Sequence, residues 1–145
     1  MKALIQRVSE ASVKVGGEVV GEISQGLLVL LGIEKNDDAN TVQRMADKLL
    51  AYRVFADEQG KMNCSVGDIE GDVLLVSQFT LVAETRKGLR PGFSTAASPA
   101  LAEEYYEMML AQLTKSNLKV AAGKFGADMQ VRLLNDGPVT FMLEL

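Results

Sequence analysis

Three polar residues, Ser77, Gln78 and Thr80, interrupt the otherwise apolar run VLLVSQFTLV. Burying such groups without partners costs roughly 1 to 3 kcal/mol each, so three together indicate a hydrogen-bonded network or a binding site. In an extended strand, Gln78 and Thr80 lie on one face and Ser77 and Phe79 on the other. Taken alone, the trio is also compatible with an ordinary strand whose solvent end is Gln78.

A second interruption, Asn135-Asp136-Gly137-Pro138, divides the alternating apolar residues of LLNDGPVTFMLEL. Asp-Gly between alternating hydrophobic residues predicts a β-hairpin. Gly137 allows a positive φ or a close backbone approach, and Pro138 cannot donate a ladder hydrogen bond. From the residues alone a cis Gly137-Pro138 bond has a low prior, about 5% for X-Pro bonds in folded proteins.

The sequence contains no histidine and one cysteine, Cys64. It therefore excludes Ser-His-Asp and Cys-His triads and the usual general base near neutral pH. A zinc site is not expected, and no other metal or cofactor is predicted. Any chemistry must use hydroxyls, carboxylates, lysines, main-chain groups or the substrate itself.

The charge balance is acidic, with a formal net charge of -4. This argues against wrapping long nucleic acid, although it leaves room for binding one end of an RNA. No apolar run approaches the roughly 18 residues of a membrane span, and the opening MKALIQRVSEASVKV is too polar for a signal peptide. With a single cysteine as well, a cytoplasmic protein is expected.

The residues that could do chemistry must be positioned by strands and two helices. Alternating or continuous apolar runs predict strands at 3–8, 11–15, 18–23, 26–33, 52–55, 72–84, 118–122, 127–134 and 139–145. Gly16-Gly17 predicts a hairpin, whereas 57–71 and 84–99 are loop-like in composition.

Both helices are predicted from apolar residues at helical spacing. The first follows a cap at Asp37, Asp38 or Asn40, and the second begins at Ser98-Pro99 and ends near Asn117. Their apolar stripes are Val42, Met45, Ala46, Leu49 and Leu50, and Ala102, Tyr105, Tyr106, Met109, Leu110 and Leu113. Each helix must cover a sheet, so we expect a single α/β domain over 1–145, with mixed β-sheet layers (β/β/α) and both helices packed on one side.

The two polar interruptions together resemble the motifs of the D-aminoacyl-tRNA deacylase family, Ser-Gln-x-x-Leu and Asn-x-Gly-Pro-x-Thr. Here they read Ser77-Gln78-Phe79-Thr80-Leu81 and Asn135-Asp136-Gly137-Pro138-Val139-Thr140. The likeness extends to ALIQRV, GLLVLLGI, KMN and KFGADMQV. Either motif alone is weak evidence, but both in this order and in a chain of matching length are specific.

The resemblance implies hydrolysis of the ester between a D-amino acid and the terminal adenosine of tRNA, with glycine mischarged on tRNA(Ala) as a further substrate. It implies a cytoplasmic homodimer with active sites at the subunit interface. Each Gly137-Pro138 unit, with a cis bond, would reach into the partner's site. A rigid backbone carbonyl there would reject L substrates by clash.

The resemblance also assigns roles to single residues. Main-chain N–H groups near Phe79 and Thr80 would form an oxyanion hole, and Thr80 would position water or the ribose 2'-hydroxyl, because no histidine could activate it for attack. Phe125 and Met129 would line the pocket, although a core role alone explains both. Arg7 would support the Gly-Pro unit, or be a solvated edge-strand residue. Ser77 and Gln78 would be the other catalytic residues of the first motif. Asn135 and Thr140 would be supporting residues of the second motif.

A tRNA partner requires a local basic patch in an acidic protein. Arg86, Lys87, Arg90 and Lys124 are the candidates, and the alternative is that they are solvated cations of a surface loop. Two other functions stay open: a hydrolase of another small acyl ester or amide, and a nucleic-acid-binding accessory protein without hydrolase activity.

Overall fold

The computed structural model describes all 145 residues. Its strands are β1 (Lys2–Val15), β2 (Glu18–Ile23), β3 (Gly26–Gly32), β4 (Phe55–Ala56), β5 (Met62–Cys64), β6 (Asp72–Ser77), β7 (Val120–Ala122) and β8 (Gln130–Glu144). The α-helices are α1 (Ala39–Ala51) and α2 (Pro99–Thr114), and a short 3-10 helix covers Phe79–Val82.

One mixed sheet contains six of the strands, and its organising element is the long strand β1. All pairings of β1 are antiparallel. On one edge, the first half of β1 pairs with β3 and the second half pairs with β2; on the other edge, β1 pairs with β8. The sheet continues through the parallel pairs β3–β6 and β6–β7. A Cβ atom added at Gly21 of β2 would lie 2.6 Å from the Ala122 carbonyl oxygen of β7, so the sheet curls until its ends nearly meet.

The two faces of this curled sheet bury separate cores. The larger core lies between the sheet and both helices and includes Ile5, Leu27, Met45, Leu75 and Met109. The smaller core fills the inside of the curl, with residues such as Val8, Val13, Ile23, Leu28, Leu74 and Val76. Alternation along β3 and β6 explains this division, because successive side chains point to opposite faces. The predicted mixed layers under two helices on one side are confirmed.

The helix starts agree with the predicted caps. Asp38, one of three candidates, accepts from the Thr41 backbone N–H at 2.7 Å, and Ser98 caps α2 with Pro99 as its first residue. Helix α2 ends at Thr114, three residues before the predicted Asn117. Neither helix is long and apolar enough to cross a membrane.

The predicted strand 72–84 is wrong beyond Ser77. The Gln78 backbone N–H makes the last bond to β3, donating to the Leu31 carbonyl at 2.7 Å, and the chain then turns into the 3-10 helix. Gly32 permits this turn, since a Cβ there would lie 2.9 Å from Val82 Cγ1. The two-face arrangement predicted for residues 77 to 80 is therefore also wrong.

The predicted hairpin at 135–138 is wrong as well. Strand β8 runs without reversal past both halves of the alternating pattern, and both halves pair with β1. Because Gln6 pairs with Thr140 and Val8 with Asn135, residues 136–139 bulge opposite the single residue Arg7. A bulge re-aims the chain without ending the strand.

Smaller differences concern the boundaries of other strands. Segments 3–8 and 11–15 are one strand, β1. Only Phe55 of the predicted strand 52–55 is in a strand, and it pairs with β5, which lies inside the predicted loop 57–71.

Candidate active site

A half-open cavity of about 470 Å³ lies where β3 and β6 end and the chain turns into the 3-10 helix. Most of its lining is apolar: Leu31, Ile33, Val76, Ser77, Gln78, Phe79, Ala96, Ala97, Pro99, Ala102, Phe125, Gly126, Ala127, Met129 and Val131. Apolar walls with a few polar groups are typical of small-ligand sites. Ser77 and Gln78 supply the polar side chains of the lining.

The 3-10 turn presents main-chain donors at the edge of this cavity. The N–H groups of Phe79 and Thr80 stand at the N-terminal end of the helix, where N–H groups have no intrahelical acceptor, and no side chain caps them. The Gln78 side-chain amide instead donates to the Thr80 hydroxyl. The Thr80 oxygen is thus already an acceptor, and the two main-chain donors remain available to an anionic oxygen.

Phe125 and Met129 also line the cavity. The ring of Tyr106, on α2, packs behind Phe125 with 5.7 Å between ring centroids. The Tyr106 hydroxyl donates to the Leu75 carbonyl at 3.1 Å, and burial raises the pKa of this hydroxyl to about 12, so it stays protonated. Met129 Sδ accepts from the Lys124 N–H at 3.4 Å, which fixes the turn that carries Phe125.

The Gly137-Pro138 unit is an exposed bulge with a cis peptide bond. The Asn135 side chain closes the bulge, because its Oδ1 accepts from the Val139 N–H at 2.7 Å and its Nδ2 donates to the Thr140 hydroxyl at 2.9 Å. Arg7 braces it from β1, donating through Nε to the Asp136 carbonyl and through Nη1 to the Val54 carbonyl, both at 2.8 Å.

The structure does not bring the two motifs together within one chain. Gly137 and Pro138 are absent from the cavity lining. The register places them beside Arg7, whose β3 partner is Leu27, whereas the cavity begins at Leu31 at the other end of β3.

The side-chain closure of the bulge supports a stability prediction. Asn135→Ala leaves the Val139 N–H, on a buried residue, without its acceptor, and we expect the free energy of unfolding to fall by about 1 to 3 kcal/mol. Asn135→Asp keeps the acceptor and should lose less. Urea denaturation of both variants measures the difference. An equal loss of unfolding free energy in the two variants, or no loss in Asn135→Ala, would show that the Asn135 acceptor does not stabilise the bulge.

Residues 4–144 match the model of a family described as D-Tyr-tRNA(Tyr) deacylase. The chain belongs to the D-aminoacyl-tRNA deacylase family. It is therefore a hydrolase, as the resemblance predicted.

Curated relatives agree with this membership, and two solved structures share the fold. The D-aminoacyl-tRNA deacylases of Stutzerimonas stutzeri and Alcanivorax borkumensis are each 60% identical to this chain, over 99% and 100% of both sequences respectively. A solved structure titled c-Myc DNA Unwinding Element Binding Protein has a TM-score of 0.95 and 46% identity, covering 100% of this chain and 99% of its own. A probable eukaryotic D-amino acid tRNA deacylase has a TM-score of 0.86 over 99% and 98% of the two chains, and at 16% identity it shows the fold alone.

The four candidate tRNA-binding cations of this deacylase differ in their surroundings. Arg86 forms a two-pronged pair with Glu84, with 2.7 Å between Arg86 Nη2 and Glu84 Oε2. Hydrogen bonds from Arg86 lower the pKa of Glu84 to about 2, so this carboxylate is ionised at neutral pH. Lys87, Arg90 and Lys124 have no carboxylate within 4.0 Å. Of the four candidates, these three have a positive charge that no carboxylate pairs, so they are available to bind phosphate.

Sequence reasoning missed the small residues Ala96, Ala97 and Ala102, which form one wall of the cavity in the enzyme. It also missed Phe93, whose ring lies 5.1 Å from that of Phe79. A signal was present in the sequence FSTAASPA, residues 93–100. Small side chains just before a helix leave room for a cavity beside it.

Proposed function

We propose that this deacylase hydrolyses the ester between a D-amino acid and the 3'-terminal adenosine of tRNA in the cavity beside Ser77, Gln78 and Phe79. The observation that carries the proposal is the pair of uncapped N–H groups on Phe79, which lines the apolar cavity, and on Thr80, the next residue along the 3-10 helix. Together they can stabilise the oxyanion that forms when the ester carbonyl is attacked. The cavity, of about 470 Å³, leaves room for an adenosine and a D side chain.

Thr80 orients the attacking group in this proposal. No histidine is present to remove its proton, and its oxygen accepts from Gln78. Its own proton can be donated to a water molecule or to the ribose 2'-hydroxyl. An aminoacyl ester is already reactive, so positioning of the attacking group can supply much of the acceleration.

A pair of changes separates positioning from covalent attack. We expect Thr80→Ala to lower the rate less than tenfold and Thr80→Ser to stay near wild type. A 2'-deoxy terminus on the tRNA should lower the rate more than Thr80→Ala does, since it removes the substrate's own hydroxyl. Single-turnover deacylation measures all three. Loss of all activity in Thr80→Ala, with normal turnover of the deoxy substrate, would establish Thr80 as the nucleophile.

Discrimination against L substrates is proposed to require a second copy of the chain. The Gly137-Pro138 bulge is exposed and lies away from its own cavity, on the edge strand β8. The same strand exposes Leu134, Phe141 and Met142, so a second copy would also cover apolar surface. In a twofold dimer, each bulge can reach the other subunit's cavity. A braced main-chain carbonyl beside the substrate Cα then accepts from the ammonium and leaves room for hydrogen only.

The same wall admits glycine, which has hydrogen at both Cα positions. We therefore propose glycyl-tRNA, including glycine mischarged on tRNA(Ala), as a further substrate. Because charged tRNA is the substrate, the reaction is placed in the cytoplasm.

The direct test of the function compares four substrates: D-tyrosyl-tRNA, L-tyrosyl-tRNA, glycyl-tRNA and a simple ester such as p-nitrophenyl acetate. Rapid deacylation of the D and glycyl substrates, with the L substrate spared, is expected. Equal rates on the simple ester and on both tRNA stereoisomers would identify a general esterase instead.

A nucleic-acid-binding role is the second candidate, favoured by the name of the 46% identical solved structure, c-Myc DNA Unwinding Element Binding Protein. Binding by phosphate contacts alone weakens steeply with salt. A gel shift with DNA at rising salt, in parallel with the deacylation assay, distinguishes the two: tight DNA binding with no deacylation would favour the accessory role.

A further inference from the structure

Two aromatic rings are exposed together at the rim of the candidate active site. Phe79 is 62% exposed and Phe93 is 38% exposed, and their ring centroids lie 5.1 Å apart with a 44° tilt. Phe79 lines the cavity, and Phe93 does not. Large aromatic side chains are usually buried, so a neighbouring pair on the surface indicates a binding surface.

The backbone that carries this aromatic pair is firmly held. Glu84 and Gly92 exchange two backbone hydrogen bonds, of 2.7 and 3.0 Å. The Thr95 hydroxyl donates to the Val82 carbonyl at 2.7 Å, which joins the segment after Phe93 to the 3-10 helix. The Ala96 N–H donates to the Phe93 carbonyl at 3.1 Å, so the backbone of Phe93 is joined to a residue that lines the cavity.

The surroundings of the pair are positively charged in an otherwise acidic protein. Segment 84–93 carries Arg86, Lys87 and Arg90 against the single carboxylate of Glu84, a net charge of +2 in a chain whose net charge is -4. Since Glu84 pairs with Arg86, the surplus charge resides on Lys87 and Arg90. An aromatic surface beside free cations matches the two halves of a nucleotide, a flat base and an anionic phosphate.

We propose that Phe79 and Phe93 form a stacking platform for the unpaired nucleotide that precedes the 3'-terminal adenosine, with Lys87 and Arg90 facing its phosphates. This inference rests on the proposed function, because it assumes that the terminal adenosine enters the cavity. The platform accounts for how an acidic enzyme selects an RNA end: contact is confined to one base stack and two charges.

The test compares D-tyrosyl-tRNA with D-tyrosyl-adenosine, an ester that lacks every preceding nucleotide. In Phe93→Leu, the ratio of kcat/KM for the tRNA to that for the adenosine ester should fall about tenfold, mainly through KM, as expected for one lost base stack. Phe93→Tyr retains a ring and should restore the ratio.

Three results would overturn the proposal. An equal fall on both substrates would show that Phe93 only supports the cavity wall, and an unchanged ratio would show that its ring contacts no nucleotide. A shift from dimer to monomer in sedimentation of Phe93→Leu would assign the ring to a subunit contact. Failure of the proposed function is distinguishable in the wild-type enzyme, which would then cleave neither substrate or would cleave the L-tyrosyl esters as fast as the D-tyrosyl esters.

Discussion

Phe79→Pro is expected to lower kcat by a factor of about 10² to 10³, the usual effect of removing one oxyanion donor. Proline has no N–H, so the substitution deletes a main-chain donor that ordinary side-chain changes leave in place. Phe79 is the first residue of the 3-10 helix, a position where proline is favoured, and the preceding Gln78 is non-helical.

Phe79→Ala is the matched control, since it removes the same ring but keeps the N–H. Measured with D-tyrosyl-adenosine, so that stacking on tRNA plays no part, Phe79→Ala should lose far less activity than Phe79→Pro. Comparable losses in the two variants would mean that the ring matters and the main-chain donor does not. Circular dichroism of both variants checks that the fold is retained.

Gly137→Ala is expected to lower the ratio of D- to L-tyrosyl-tRNA hydrolysis by about 100-fold, the scale of effect that small misplacements produce in active sites. Gly137 has φ +147°, a conformation that L residues rarely adopt. An added Cβ would lie 2.7 Å from Val139 Cγ2 and 2.8 Å from the Val139 nitrogen. The bulge must shift to relieve these contacts, which displaces the carbonyl that is proposed to exclude L side chains.

A second glycine provides the control for a general backbone effect. Gly16 has φ +57° in the turn between β1 and β2, and a Cβ there meets nothing within 4 Å. Gly16→Ala should therefore leave the D-to-L ratio at its wild-type value. If Gly137→Ala also leaves that ratio unchanged, the bulge does not set stereochemical selectivity.

The parts of the fold that could be predicted are those controlled by local pattern. The helices follow from Asp38 and Ser98 as caps and from apolar stripes, and β3 from a continuous apolar run. The hairpin prediction failed because local pattern does not identify the pairing partner. Both halves of the final segment pair with the 14-residue strand β1, and Arg7 and Asn135 satisfy the bulge between them.

The site was predictable in composition but not in geometry. The absence of histidine left main-chain donors among the candidate groups. Periodicity, however, predicted residues 72–84 as one strand and could not locate the turn after Ser77. That turn depends on Gly32, on another strand, allowing the 3-10 helix to pack closely. Phe93 was missed for a similar reason, because only the tertiary structure brings it against Phe79.

Mixing two variant subunits tests most directly whether the Gly137-Pro138 wall is supplied by the partner. Gly137→Ala subunits keep an intact cavity, and Phe79→Pro subunits keep an intact bulge but a disabled cavity. Adding excess Phe79→Pro to Gly137→Ala, with refolding to exchange subunits, should return the D-to-L ratio of the surviving cavities to the wild-type value. If the ratio stays at that of Gly137→Ala alone, each cavity either uses its own chain's bulge or uses no such wall.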